Sequence, residues 1–207
     1  MYTLAGPLDD IDVAPGSNIL VLGPAMSGKQ RFAYQVVADG TIAGDGGIII
    51  STSDGAEHVR RTYESMLGDE EPDGPLGIID CVSNQQGGEE ADDGDRVKYA
   101  SSPVDMTGIG IDLSELLEEF HDVHGLDRNR VVLDNISTML MYSNVQTIFR
   151  FLHVFTGRVQ NVDGLGLYLM DPSAHDAQTI NTLKGLFDGM VETSDEDDSL
   201  TYTGVQG

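Results

Sequence analysis

The sequence predicts an α/β domain built on a mainly parallel sheet, with helices on both faces and an antiparallel hairpin at the C-terminal end. Three observations carry this. Ile19-Leu20-Val21-Leu22 and Ile48-Ile49-Ile50 are apolar at every position, as strands covered on both faces are. Segments with helical spacing of apolar residues separate such runs. Two closing runs, Gly189 to Thr193 and Leu200 to Gly204, flank the acidic turn Ser194-Asp195-Glu196-Asp197-Asp198 and read as a hairpin.

Taken in order, Ile19 to Leu22 is a buried strand that runs into a glycine-rich turn, and a helix is expected from Lys29 to Ala38. Gly47 to Thr52 is a second strand, Ala56 to Leu67 a second helix, and Leu76 to Val82 a third strand. Residues 84–95 are polar, acidic and glycine-rich, with almost nothing to bury. They read as a flexible solvated loop inside one domain spanning 1–207. Asp112-Leu113-Ser114-Glu115 has the pattern of a helix start, an N-cap acid with Glu at N3. Leu113, Leu116, Leu117 and Phe120 then line one face. Arg130 to Asp134 is a strand ending in an acid. Ser143-Asn144-Val145-Gln146 resembles a capping box before a helix that is apolar nearly all round, through Ile148, Phe149, Phe151, Leu152, Val154 and Phe155. Gly164 to Met170 is a further strand, and Ala177, Ile180, Leu183 and Phe187 mark a last amphipathic helix.

Composition narrows the function classes. At 207 residues and 40% hydrophobic content the chain can bury the core of a single domain. No apolar run is long enough to span a bilayer, and Met1 to Asp10 lacks the basic and apolar regions of a secretory signal. A cytoplasmic protein without membrane insertion is expected. Cys81 is the single cysteine, which excludes an internal disulfide framework or a cysteine-based zinc cluster. The net charge is −24, from 35 acidic against 11 basic residues. The acid is spread along the chain, which favours a carboxylate surface hydrated in concentrated salt, as in halophiles, over a single acidic block aimed at a partner. DNA binding is not expected, because the nearest basic groupings, Arg60-Arg61 and Arg128 with Arg130, are isolated pairs.

The strongest motif is Gly23-Pro24-Ala25-Met26-Ser27-Gly28-Lys29, which fits the spacing of a phosphate-binding P-loop. Given the frequencies of glycine and lysine here, chance would supply ~0.04 such matches. The motif also follows a strand and opens a helix, as its mechanism requires. Backbone N–H groups and the helix N-terminus would face the phosphates, and Lys29 would neutralise their oxygens. Lys29 is one of only three lysines, with Lys98 and Lys184. Gln30 departs from the pattern, because a serine or threonine normally places a hydroxyl on Mg²⁺ there. Asp134, at the end of Val131-Val132-Leu133, is the candidate carboxylate for holding Mg²⁺ through water.

With both motifs placed, the chain resembles the RecA-superfamily P-loop ATPases of the KaiC/ArlH-like kind, especially their short, acidic haloarchaeal members. The resemblance rests on Pro15 to Pro24, Val104 to Leu113, Asp134-Asn135-Ile136-Ser137-Thr138 and Phe187 to Val191. It implies a RecA-like core, ATP at the P-loop, and rings or filaments with ATP between subunits. It also implies a water-activating glutamate just after the second strand. That stretch reads Ile50-Ser51-Thr52-Ser53-Asp54, which leaves Asp54 as the carboxylate, one methylene shorter.

Smaller candidates are His175 after the strand ending at Met170, the pair His121 and His124, and Arg158 or Arg128 as a cation acting on a neighbouring subunit. Cys81 reads as a core residue. The expected function is an ATP-binding regulatory or assembly switch with slow or absent hydrolysis, acting through a homo-oligomer or a protein partner. The alternatives are an active ATPase of DNA recombination or a motor complex, and a pseudo-ATPase scaffold that binds no nucleotide.

Overall fold

The computed structural model describes residues 1–86, 96–194 and 199–204. In chain order the elements are β1 (Tyr2–Thr3), β2 (Asp12–Val13), β3 (Asn18–Leu22), α1 (Lys29–Ile42), β4 (Gly46–Ser51), α2 (Ala56–Leu67), β5 (Leu76–Asp80), β6 (Val97–Tyr99), α3 (Met106–Asp122), β7 (Asn129–Leu133), α4 (Ile136–Tyr142), α5 (Val145–Asn161), β8 (Leu165–Met170), α6 (Ala177–Lys184), β9 (Gly189–Thr193) and β10 (Leu200–Gly204). The main sheet has the order β10-β9-β3-β8-β7-β4-β5-β6, and β1 and β2 form a separate two-stranded ribbon. Every pair in the main sheet is parallel except β9 with β10, where Leu200 faces Thr193 and Gly204 faces Gly189. This is the α/β RecA-like architecture that the sequence predicts, terminal hairpin included.

The central strands are covered on both faces, so their side chains divide alternately between two cores. Ile19, Val21, Ile49, Val132 and Leu167 pack with α1, α2 and the β1–β2 ribbon. Leu20, Leu22, Ile48, Ile50 and Leu133 pack with α3, α4, α5 and α6. At the N-terminal end of the sheet, buried Asp45 accepts hydrogen bonds from Arg128 Nε at 2.7 Å and Arg130 Nε at 2.9 Å. Both guanidiniums lie over the Tyr2 ring, which ties the first residues to the sheet. The opposite end of the sheet carries the candidate site.

Several boundaries differ from the sequence reading. Helix α3 starts at Met106, not Asp112: Asp105 is its N-cap and accepts from Gly108 N. Helix α1 runs on to Ile42 through Gly40, where an added Cβ would lie 2.2 Å from Arg130 Nε. Gly40 is thus a seat for a buried guanidinium and not a helix stop. The last helix ends at Lys184, before Phe187. Of the loop expected at 84–95, Asn84 to Gln86 belong to a 3₁₀ turn that begins at Ser83. Residues 87–95 lie outside the described residues, as do 195–198 of the hairpin's acidic turn. Among the described residues no helix is long and apolar enough to cross a membrane.

Candidate functional site

Parallel order brings the C-terminal ends of β3, β4, β7 and β8 to one edge, where the loops leaving them meet. The loop after β3 is Gly23 to Gly28. Gly28 is the N-cap of α1, and no side chain caps that helix, so its first turn faces solvent with its partial positive charge available. Gly23 has no room for a side chain: an added Cβ would lie 1.9 Å from Thr193 Oγ1 and 2.3 Å from Ser27 Oγ. Those two hydroxyls pair at 2.5 Å beneath the loop, and Thr193 Oγ1 donates to Leu22 O at 3.3 Å. The last parallel strand therefore fixes the shape of the loop. Met26 sits at the tip, 99% exposed, with a φ of 63° that strains any residue but glycine.

Lys29 folds back so that Nζ donates to Pro24 O at 2.7 Å. Partial burial lowers its pKa, and the nearby Asp171 carboxylate works against that. Asp171 itself follows β8 and caps the 3₁₀ turn beside it. Gln30 points across the cleft, with Nε2 3.5 Å from Asp54 Oδ2. Asp134 follows β7 and is 5% exposed. Its Oδ2 accepts from Ser51 Oγ at 2.7 Å, and its Oδ1 accepts from Thr52 N at 2.9 Å and Thr52 Oγ1 at 3.1 Å. Burial raises its pKa to about 6 in spite of these bonds, which favour the anion. Gln30, Asp54 and Asp134 line one cleft of about 370 Å³, together with Ser53, Asn135 and the P-loop from Met26 to Lys29. A second cleft of about 710 Å³ opens on the other side of the same loop, between α1, the Ala5 to Pro7 turn and Leu200 of the hairpin. Arg31 lines both.

The structure thus brings together the sequence candidates from Gly23 to Gln30 with Asp54 and Asp134. It also adds residues that no motif marked. Thr193 comes from the far end of the chain. The Tyr34 hydroxyl is buried beside Gln30, Asp134 and Asp54, with only a long contact to the Gln30 amide and no close hydrogen bond. The smaller candidates stay outside the clefts. Arg128 is held by Asp45, and Arg158 by Gly110 O and Ser114 Oγ. His121 lies 3.4 Å from Asp127, and His124 meets Arg96. Among the described residues no cluster of histidine, cysteine and carboxylate side chains could hold a metal. His175 precedes Asp176, which caps α6, and its Nε2 is buried without a partner. Cys81 lies in the core, where burial pushes its thiol up.

The donor set does not match Mg²⁺, which the sequence resemblance implies. The position after Lys29 offers an amide instead of a hydroxyl, and the amide nitrogen faces a carboxylate. Asp134 already receives three hydrogen bonds from the protein, while an octahedral aquo-ion needs carboxylate lone pairs open to its waters.

The fold has well-covered relatives among solved structures. The KaiC-like protein PH0186 of Pyrococcus horikoshii OT3 superposes with a TM-score of 0.61 over 98% of this chain and 84% of its own, at 13% identity. The uncharacterized protein PH0321 of P. horikoshii, solved in complex with an unknown peptide, superposes at 0.68 over 94% of this chain and 85% of its own, also at 13% identity. At that identity the likeness is one of fold. In sequence, 127 residues, or 59% of this chain, are 28% identical to the UPF0273 protein SSO1861 of Saccharolobus solfataricus. That match takes in 42% of the relative, so the chain spans less than half of it. Residues 16–193 match the family of unknown function DUF7504, which covers most of the 207 residues, and the chain belongs to that family.

Proposed function

We propose that this protein binds a nucleoside triphosphate, with ATP the expected ligand, and serves as a regulatory or assembly switch that hydrolyses it slowly or not at all. The observation that carries the reading is the P-loop itself. Gly23 to Lys29 leads from a buried strand into a helix whose N-terminus no side chain caps, and clefts of about 370 and 710 Å³ open on its two sides. Their volumes suit a polyphosphate on one side and a nucleoside on the other. Loop N–H groups and the helix dipole favour the anion, and Lys29 needs only to leave Pro24 O to reach it. Slow turnover follows from the opposite wall. Asp54 would be the carboxylate that orients a water, and the Gln30 amide faces it. Phosphoryl transfer draws its rate from exact positioning of that water and from charge neutralisation of the leaving oxygens.

The switch would act by ordering the loops around Asp54 and Asp134, and self-association or a protein partner would read the change. Calorimetry with ATP in molar KCl tests the binding. Lys29→Ala is expected to weaken it by ~1.5–3 kcal/mol, the value of a charged hydrogen bond. Equal affinity for the variant and the wild type would remove the P-loop reading.

A further inference from the structure

Resting on that reading, we infer that the triphosphate is held without a divalent cation, and that Arg31 and the Gln30 amide stand where the metal does its work in other P-loops.

The first observation is the mismatch at the metal position. A hard cation there would meet the donor face of an amide, whose nitrogen is 3.5 Å from Asp54 Oδ2, and a carboxylate whose two oxygens already accept three hydrogen bonds. The second is Arg31. It is exposed, lines both clefts, and makes no ion pair or hydrogen bond among the described residues. Several other cations are paired, Arg96 with Glu119, Lys98 with Glu115, and Arg128 and Arg130 with Asp45, and what sets Arg31 apart is its place on the rim of both clefts. Arg31 is a bare charge on the first turn of α1, two residues from Lys29. A guanidinium offers a fork of donors that matches phosphate oxygens.

The third observation is Tyr34, one turn behind Gln30. Its hydroxyl is fully buried and makes no close hydrogen bond, with the Gln30 amide beside it as a long, weak one, and Gln30, Asp54 and Asp134 all line the phosphate cleft. A buried hydroxyl without a close hydrogen bond costs stability unless a ligand or a rearranged neighbour supplies one. If Gln30 turns its amide nitrogen from Asp54 to a phosphate oxygen, its carbonyl end becomes the natural acceptor for the Tyr34 hydroxyl. Two positive side chains, one amide donor and the loop N–H groups then face the triphosphate.

The test is ATP binding by calorimetry in molar KCl, with excess MgCl₂ or with excess EDTA, on folded wild type, Arg31→Ala and Arg31→Lys. The expected result is wild-type affinity equal within about threefold in the two conditions. Arg31→Ala should lose about tenfold or more in both, and Arg31→Lys should recover part of that loss. A wild-type affinity that drops about tenfold or more in EDTA would overturn the inference and leave the nucleotide reading standing. Arg31→Ala binding as tightly as wild type would overturn the role of Arg31. Absence of ATP binding in both conditions, with circular dichroism still native, would overturn the nucleotide reading itself. Arg31 is exposed, so its variants should fold.

Discussion

Asp134→Asn should make the nucleotide-free protein more stable. An aspartate ordinarily titrates near 3.8, and burial pushes Asp134 up to about 6, against three hydrogen bonds that favour its anion. That gap of roughly two pH units corresponds to ~3 kcal/mol, an upper figure because relaxation around a buried charge reduces it. Folding favours the protonated form. The stabilising contribution is therefore fully present below pH 3.8 and is lost as pH rises through about 6, so at neutral pH the fold bears the whole penalty. Asparagine has the shape of the protonated carboxyl. Its oxygen can keep both bonds from Thr52, and its amide nitrogen can donate to Ser51 Oγ. The variant should be ~1–3 kcal/mol more stable than wild type near pH 7, and the gain should fade to nearly nothing around pH 4. Urea unfolding of both proteins in molar KCl, followed by circular dichroism across that range, gives the difference at each pH and cancels the other carboxylates. A variant less stable than wild type near pH 7, or a difference that does not shrink on acidification, would refute the reasoning.

Met26→Gly should stabilise the fold by ~1 kcal/mol, because the fully exposed side chain makes no packing contribution and its φ of 63° disfavours every residue but glycine. Thermal melts would check it, and an unchanged or lower midpoint would count against strain at the loop tip. With a net charge of −24 the native state should loosen in dilute buffer and recover in molar salt. Circular dichroism that stays native at low salt would argue against the salt-adapted surface. Gln30→Thr combined with Asp54→Glu should raise ATP turnover by about 10²-fold or more when Mg²⁺ is supplied, since a positioned base is worth about 10²–10⁴ in rate. A wild-type turnover of ~1 s⁻¹ or faster would show that Gln30 and Asp54 do not slow the chemistry.

The fold was legible wherever a strand is buried on both faces or a helix has one apolar stripe. Helix α2 and both strands of the hairpin fall where periodicity put them. Short elements were not legible: β1, β2 and β6 have two or three residues each, too few to show a period. Helix α4 escaped because its seven residues follow the acid at Asp134 without a long stripe. The early start of α3 was hidden by Gly108 and Gly110, which propensity reads as breakers. Gly110 is buried beneath Arg158, and the Asp105 cap overrides the propensity cost. In the site, the motif residues were legible because their spacing is local. Arg31, Tyr34 and Thr193 were not, because each matters through what it meets in space: two clefts, a set of carboxylates and the underside of a loop.

The Ser27–Thr193 hydroxyl pair has a consequence for synthesis. The two residues are 166 positions apart, and β3 is hydrogen-bonded between β8 and β9, both late in the chain. While the polypeptide emerges from the ribosome, β3 and α1 are present long before either neighbouring strand exists. The turn between them gains its first support from Met170 at the end of β8, which accepts from Gly23 N, and is completed only when Thr193 arrives. Under the nucleotide reading, ligand would therefore meet a finished loop only after β8 and β9 have docked, and the loop takes its final form late. Such non-local closure is slow. A ribosome-stalled chain that ends before β9 should show no protection by ATP against proteolysis, while a stalled chain carrying the whole hairpin clear of the exit tunnel should.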